Sequence, residues 1–289
     1  MRRNQSNHRE LSSTILRCTA VSIGLAAALA TAGCTIPTET TQAGPVSTAA
    51  ATAAAVAVSL SETTAVPRAN TVPETLVGKV VFLDPGHSGS NDASINTQVP
   101  TGRGGTKNCQ TTGTNTDAGF PEHTFNWEVA SLVKNELEAE GATVLLSRPD
   151  DIGVGACVDA RANSANASDA DVVVSIHADG ATASAEGFHV CYSAPPLNPV
   201  QAGPAVAFAE TMRDSLTDAG LTPSTYIGEY GLAPRADLTG LNLSQRPSIL
   251  VELGNMRNAD EAARMSSPAG QAEYASAVSN GVQAFLTSP

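Results

Sequence analysis

Three short apolar runs constrain this chain more than anything else in it. KVVFLDPGH closes on His87, DVVVSIHAD carries His177, and SILVELG carries Glu252. Runs this short, rich in β-branched residues and bounded by polar turns, predict strands buried on both faces. Segments of helical period lie between them, so the chain is predicted to be α/β: a single-domain, twisted, largely parallel or mixed sheet flanked by helices on both faces. Each run also ends on an ionisable side chain. Open α/β sheets take ligands at the carboxyl ends of their strands, so three strands are expected to present chemistry at one edge.

The fourth ionisable group comes from a helix. In EHTFNWEVASLVKNELEAEG, Phe125, Val129, Leu132, Val133 and Leu137 recur at helical spacing up to Gly141, which predicts a helix over 122–140 with Glu122 in its first turn. The pattern continues as a strand over 142–147, a short helix over 159–167, a strand in GFHVCYS, a helix over 201–220 and a closing helix over 270–286, with no further module expected after it. Residues 88–120 show neither period. A connection that long is usually functional or disordered; it starts beside His87 and ends at Glu122, so it is expected to form one wall of a substrate groove, tied down through Cys109.

Two histidines and one glutamate are nitrogen and oxygen donors of the kind that hold catalytic zinc with a fourth position open to water, and Glu252 leaves a carboxylate over. A lone histidine at a strand end is more often structural, and an acid in a first helical turn also complements the helix dipole. The donors are spread over about ninety residues, so spacing by itself leaves both readings open. Glu252 inside an apolar strand is harder to explain structurally, because an unpaired buried carboxylate is costly.

DPGHSG, the helix start Glu122-x3-Asn126, SIHAD and VELGNMRN, in that order, resemble the zinc-dependent N-acetylmuramoyl-L-alanine amidases of the amidase-3 type, over roughly residues 78–287. The resemblance implies that His87, Glu122 and His177 bind Zn2+ and that Glu252 is catalytic. It implies hydrolysis of the amide joining N-acetylmuramic acid to the L-alanine of the stem peptide, in peptidoglycan or muropeptides, as a step of cell-wall remodelling. The sequence departs from that pattern in having His87-Ser88-Gly89 where a glycine pair commonly follows the histidine, and in its long 88–120 segment. The same four side chains also suit a zinc peptidase cutting within the stem peptide. A non-catalytic wall-binding or activator protein is the reading outside enzymology, and an intact Glu252 argues against it.

Residues 1–34 read as an export signal: Arg2, Arg3, Arg9 and Arg17 precede the apolar run CTAVSIGLAAALATAG. An exported protein of the periplasm or cell wall is expected. Thr31-Ala32-Gly33-Cys34 resembles a lipoprotein cleavage box with Thr in place of the usual Leu, so membrane attachment through a lipid on Cys34 and plain cleavage both stand as expectations. Residues 35–75, dominated by Ala, Thr, Ser, Val and Pro, predict a tether, and 76–289 the catalytic domain. The formal charge of −12, with no basic stripe, excludes nucleic acid as an expected partner; no feature of the chain signals an oligomeric state.

Cys109, Cys157 and Cys191 fall in the folded part. Cys109 and Cys157 lie in polar, glycine-rich segments and Cys191 lies inside an apolar strand, which favours a Cys109–Cys157 bridge with Cys191 buried and inert. His123 is expected to be solvated and His189 is given no role. Asp84 either orients a ligand or caps the DPG turn. Arg161 and Asn163 are expected to hold the fold, and Met212 and Met265 to lie in the core.

Overall fold

The computed structural model describes residues 75–288; the export signal, the tether and Cys34 lie outside the described residues. In chain order the elements are β1 (Val80–Pro85), a 3-10 turn (Ala93–Asn96), β2 (Gln98–Pro100), β3 (Thr106–Asn108), α1 (Glu122–Ala139), β4 (Thr143–Leu146), α2 (Val158–Ala167) and β5 (Val172–Asp179). Then come β6 (His189–Ser193), α3 (Pro199–Ala202), α4 (Pro204–Asp218), β7 (Leu232–Arg235), α5 (Thr239–Leu243), β8 (Ser248–Asn255), α6 (Ala259–Met265) and α7 (Pro268–Thr287). The main sheet has six strands in the order β4-β1-β5-β8-β6-β7. β4, β1, β5 and β8 run parallel; β6 is antiparallel to β8 and parallel to β7. The α/β reading with a largely parallel, mixed sheet therefore holds.

Side chains alternate across a strand, and here the two faces are covered unequally. Val81 and Leu83, Val172, Val174 and Ile176, and Ile249, Val251 and Leu253 face the main core, where they meet Phe125, Val129 and Val133 of α1, Phe208 and Met212 of α4, and Tyr274 and Val278 of α7. Met265 joins the same core. The intervening residues face thinner cover: Phe82 and Val173 pack against Ala165 at the end of α2, and Cys191 and Ala233 against Leu241 of α5. By the same alternation Asp84, Ser175, His177, Glu252 and His189 lie on this thinner face, where short helices leave room for polar groups.

Four features depart from the expectation. The helix read over 201–220 is interrupted, because Gly203 adopts φ −129 and Pro204 starts a new helix, α4. A proline cannot donate its backbone nitrogen, and it is tolerated best at a helix start. β7 contains Pro234 and went unread as a strand; as the last strand of the sheet it tolerates proline. The five-residue α5 and seven-residue α6 are too short to show a period. The 88–120 segment is not structureless: it holds the 3-10 turn and the β2–β3 hairpin.

Candidate metal centre

His177, Glu252 and His189 stand in one row across three neighbouring strands, for His177 is in register with Glu252 and Glu252 with His189. His87 reaches that row because the chain crosses above β5 immediately after β1. Gly86 donates its N–H to the Ile176 carbonyl at 3.0 Å. A Cβ on Gly86 would lie 2.1 Å from Cε1 of His177, so only glycine allows the crossing.

His87 itself takes φ +62, a conformation that side chains with a Cβ rarely adopt. A buried arginine pair holds it there. Arg161 donates to the carbonyls of His87 (2.7 Å), Pro85 (2.9 Å) and Ala156 (2.8 Å) and to Asp84 (2.9 Å), while Arg148 donates to the Pro85 carbonyl at 3.0 Å. Asp84 also accepts from the hydroxyls of Ser147 (2.6 Å) and Ser175 (2.8 Å). Burial would raise its pKa, but Arg161 and the Ser147 hydroxyl bring it down to about 2. Asp84 therefore anchors the clamp, its side-chain hydrogen bonds going to Ser147, Ser175 and Arg161 and not to the donors of the site. Asn163, paired with Arg161 in the sequence reading, is exposed on α2.

The donor atoms of His87, Glu122 and His177 lie within 4.8 Å of one another. Oε1 of Glu122 is 3.0 Å from Nε2 of His87 and 2.9 Å from Nδ1 of His177. Nδ1 of His87 donates to the Thr111 carbonyl at 2.8 Å, which commits the ring's proton and leaves Nε2 a bare lone pair aimed at a carboxylate. Two such lone pairs repel unless a proton or a cation lies between them, so the donor set fits a metal ion. Burial would raise the pKa of Glu122, but the two imidazoles hold it well below the usual range. Burial would lower that of His87, and Glu122 more than reverses it.

The long segment packs directly on these donors. The backbone N–H of Thr114 donates to Oε2 of Glu122 at 2.9 Å, and a Cβ on Gly113, at φ +78, would come within 2.8 Å of that oxygen. Asn126, one turn along α1, donates to Oε1 of Glu122 and to the Gly86 carbonyl. Two residues before Thr111, Cys109 is bonded to Cys157 at the start of α2, and Cys191 is free and buried. The hairpin tip is latched across the sheet: Arg103 donates to Asn242 and Ser193 (both 3.0 Å), and Asn242 donates back to the Thr101 carbonyl. Ser88, at the position where a glycine was expected, is buried and accepts from the N–H of Gly155 at 3.0 Å.

Glu252 is not among the three converging donors. Its Oε2 is buried without a hydrogen-bond partner. Burial, then the charges of Glu122 and Asp179, push its pKa well above the ordinary carboxylate range, against the pull of Arg235. Such a carboxyl is suited to holding a proton between two transfers. His123 is not solvated as expected: Nδ1 meets Asp151 at 2.9 Å in a half-buried knot with Arg148. Sequence reasoning missed Thr111, Gly113, Thr114 and Gly86, since all four act through backbone groups or the absence of a side chain and leave no residue-type signal.

The sequence profile of the N-acetylmuramoyl-L-alanine amidase family matches residues 81–284. The chain is 56% identical over 218 residues to the N-acetylmuramoyl-L-alanine amidase Rv3717 of Mycobacterium tuberculosis, an alignment covering 75% of this chain and 90% of that protein. The crystal structure of the N-acetylmuramyl-L-alanine amidase Ami1 from Mycobacterium smegmatis is similar at a TM-score of 0.74 and 54% identity, covering 74% of this chain and 99% of that one. The apo form of Ami1 from Mycobacterium abscessus gives a TM-score of 0.73 and 56% identity, covering 73% and 100%.

Proposed function

Because the chain belongs to the amidase-3 family of N-acetylmuramoyl-L-alanine amidases, we propose that His87, Glu122 and His177 hold a zinc ion and that Glu252 is the general base. The enzyme hydrolyses the amide between N-acetylmuramic acid and L-alanine in peptidoglycan or its fragments. The observation that carries the residue assignment is the convergence of three donors beside a fourth, buried carboxyl left without a partner.

Zinc bound there supplies a lowered pKa for water and polarisation of the scissile carbonyl. The chain does the rest. Thr111 fixes the tautomer of His87, and Thr114 and Asn126 hold the carboxylate of Glu122, so that the donors are oriented in advance. Glu252 accepts a proton from the attacking water and returns it to the departing amine of L-alanine. Its raised pKa favours keeping that proton until the amine leaves.

Residues 88–120 form one wall of the substrate groove in this reading, supported by the contacts of Thr111 and Thr114 with two of the donors. Residues 1–34 act as an export signal and 35–75 as a tether, consistent with a substrate in the cell wall. Detergent partitioning of the wild type against Cys34→Ser separates a lipid-anchored chain from a freely cleaved one: equal partitioning into water would refute the anchor. Among the described residues no helix is long and apolar enough to cross a membrane.

The activity is tested by incubating the protein, with zinc and with chelator, on muramyl dipeptide and on intact peptidoglycan, and identifying products by mass. Zinc-dependent release of a peptide with a free L-alanine amine is expected. Cleavage confined to bonds within the stem peptide would contradict it.

A further inference from the structure

Glu252 and the histidine across from it each bury a polar atom that has nothing to bond. His189 on β6 and Glu252 on β8 are direct partners in the antiparallel register. Both side chains lie on the thinner face of the sheet, where directly opposed residues hold their Cβ atoms about 4.5–5.5 Å apart. Nδ1 of His189 and Oε2 of Glu252 are both shut off from solvent and both lack a hydrogen-bond partner. Two orphaned groups of complementary type, side by side in a dry site, are each costly alone and satisfied by one hydrogen bond.

The ring is buried and packed on one side by an aromatic neighbour. His189 is 1% exposed. Its ring meets Tyr226 edge-on, with centroids 6.0 Å apart and planes at 88°, and the Tyr226 hydroxyl donates to Asp179 at 3.1 Å. Burial pulls the His189 pKa down to about 4; the charge of Asp179 opposes the fall and that of Arg235 adds to it. The ring is thus neutral at neutral pH, with one N–H to give.

We propose that His189 is a positioning residue for Glu252: the two atoms left unpartnered in this structure close into one bond in the working enzyme, Nδ1–H of His189 donating to Oε2 of Glu252 and leaving Oε1 as the oxygen that takes the water proton and returns it to the amine. The inference rests on Glu252 being the base. With Oε2 held by a fixed donor, the carboxyl keeps one orientation while Oε1 is protonated between the two transfers. A ring that only filled space beside Tyr226 would not need its nitrogen.

The test uses the full-length zinc protein with two variants. His189→Phe keeps the aromatic contact with Tyr226 and removes the donor; His189→Asn keeps an N–H donor near the place of Nδ1. Steady-state kinetics on muramyl dipeptide, zinc content and the 15N resonances of the His189 ring are measured. For His189→Phe the expected result is a kcat lower by about 10–100-fold, with KM and zinc content unchanged. His189→Asn should recover most of that loss, and the wild-type ring should carry its proton on Nδ1. Full kcat in His189→Phe, no recovery in His189→Asn, or a proton on Nε2 would each overturn the inference. If His189→Phe fails to fold, His189→Asn and the tautomer still decide. A Glu252→Gln variant with full turnover would refute the base assignment itself, whereas an inactive Glu252→Gln beside a fully active His189→Phe would refute only the role of His189.

Discussion

Nη2 of Arg161 donates to the backbone carbonyl of His87 at 2.7 Å, and His87 is held at φ +62. The guanidinium reaches the carbonyls of Pro85 and Ala156 as well, so one side chain fixes the whole turn that aims the first donor. Removing it leaves a strained backbone without its clamp and Asp84 without its counter-ion. Arg161→Ala is expected to weaken zinc affinity by about 10–100-fold and to destabilise the protein by roughly 3 kcal/mol. Arg161→Lys should not restore either, since a single ammonium cannot serve acceptors spread around a planar fork. Zinc competition titration and thermal unfolding check both.

The same clamp sets an acid limb. Asp84 has its pKa depressed from 3.8 to about 2 in the folded chain, burial being outweighed by Arg161 and by the Ser147 hydroxyl. A depressed carboxylate contributes stability that is present above its unfolded pKa and lost as pH falls through the folded one. Asp84 should therefore contribute on the order of 2 kcal/mol above about pH 4, fading between about pH 4 and 2. Denaturant titrations of wild type and Asp84→Asn should differ at pH 6 and converge toward pH 2; a constant difference across that window would refute the assignment.

Cys109 and Cys157 join the loop to the start of α2, 48 residues apart in sequence. Cys109 lies two residues from Thr111, whose carbonyl accepts from His87. The paired variant Cys109→Ser, Cys157→Ser is expected to lose roughly 2–4 kcal/mol of stability. It should also bind zinc more weakly, while kcat at saturating zinc falls less than the affinity does. Unchanged zinc affinity would mean that the Arg103 latch alone keeps the loop on the donors.

Where burial is two-sided and the ionisable residue is an outlier, the sequence was legible. The strand that leads to His87, those carrying His177 and Glu252, the helix that begins at Glu122, and the sheet they build all follow from period and composition. What escaped was short or backbone-borne. β7 hid behind Pro234, and α5 and α6 span too few residues to show a period. Thr111 and Thr114 contribute a carbonyl and an N–H that any residue could supply. His123 was read as solvated because its neighbour on the helix was a candidate donor, yet its partner Asp151 lies 28 residues away and no local pattern links them. His189 was passed over because its relation to Glu252 exists only through an antiparallel pairing that the chain order does not announce.

Zinc stoichiometry and turnover of Glu252→Gln, measured side by side on one preparation, test the division of labour most directly. Three donors holding the metal and a fourth carboxyl moving the proton predict a protein that binds one zinc as tightly as wild type and releases no peptide from muramyl dipeptide above background. Loss of zinc along with activity would make Glu252 a ligand, and retained turnover would place the base elsewhere; either result contradicts the account.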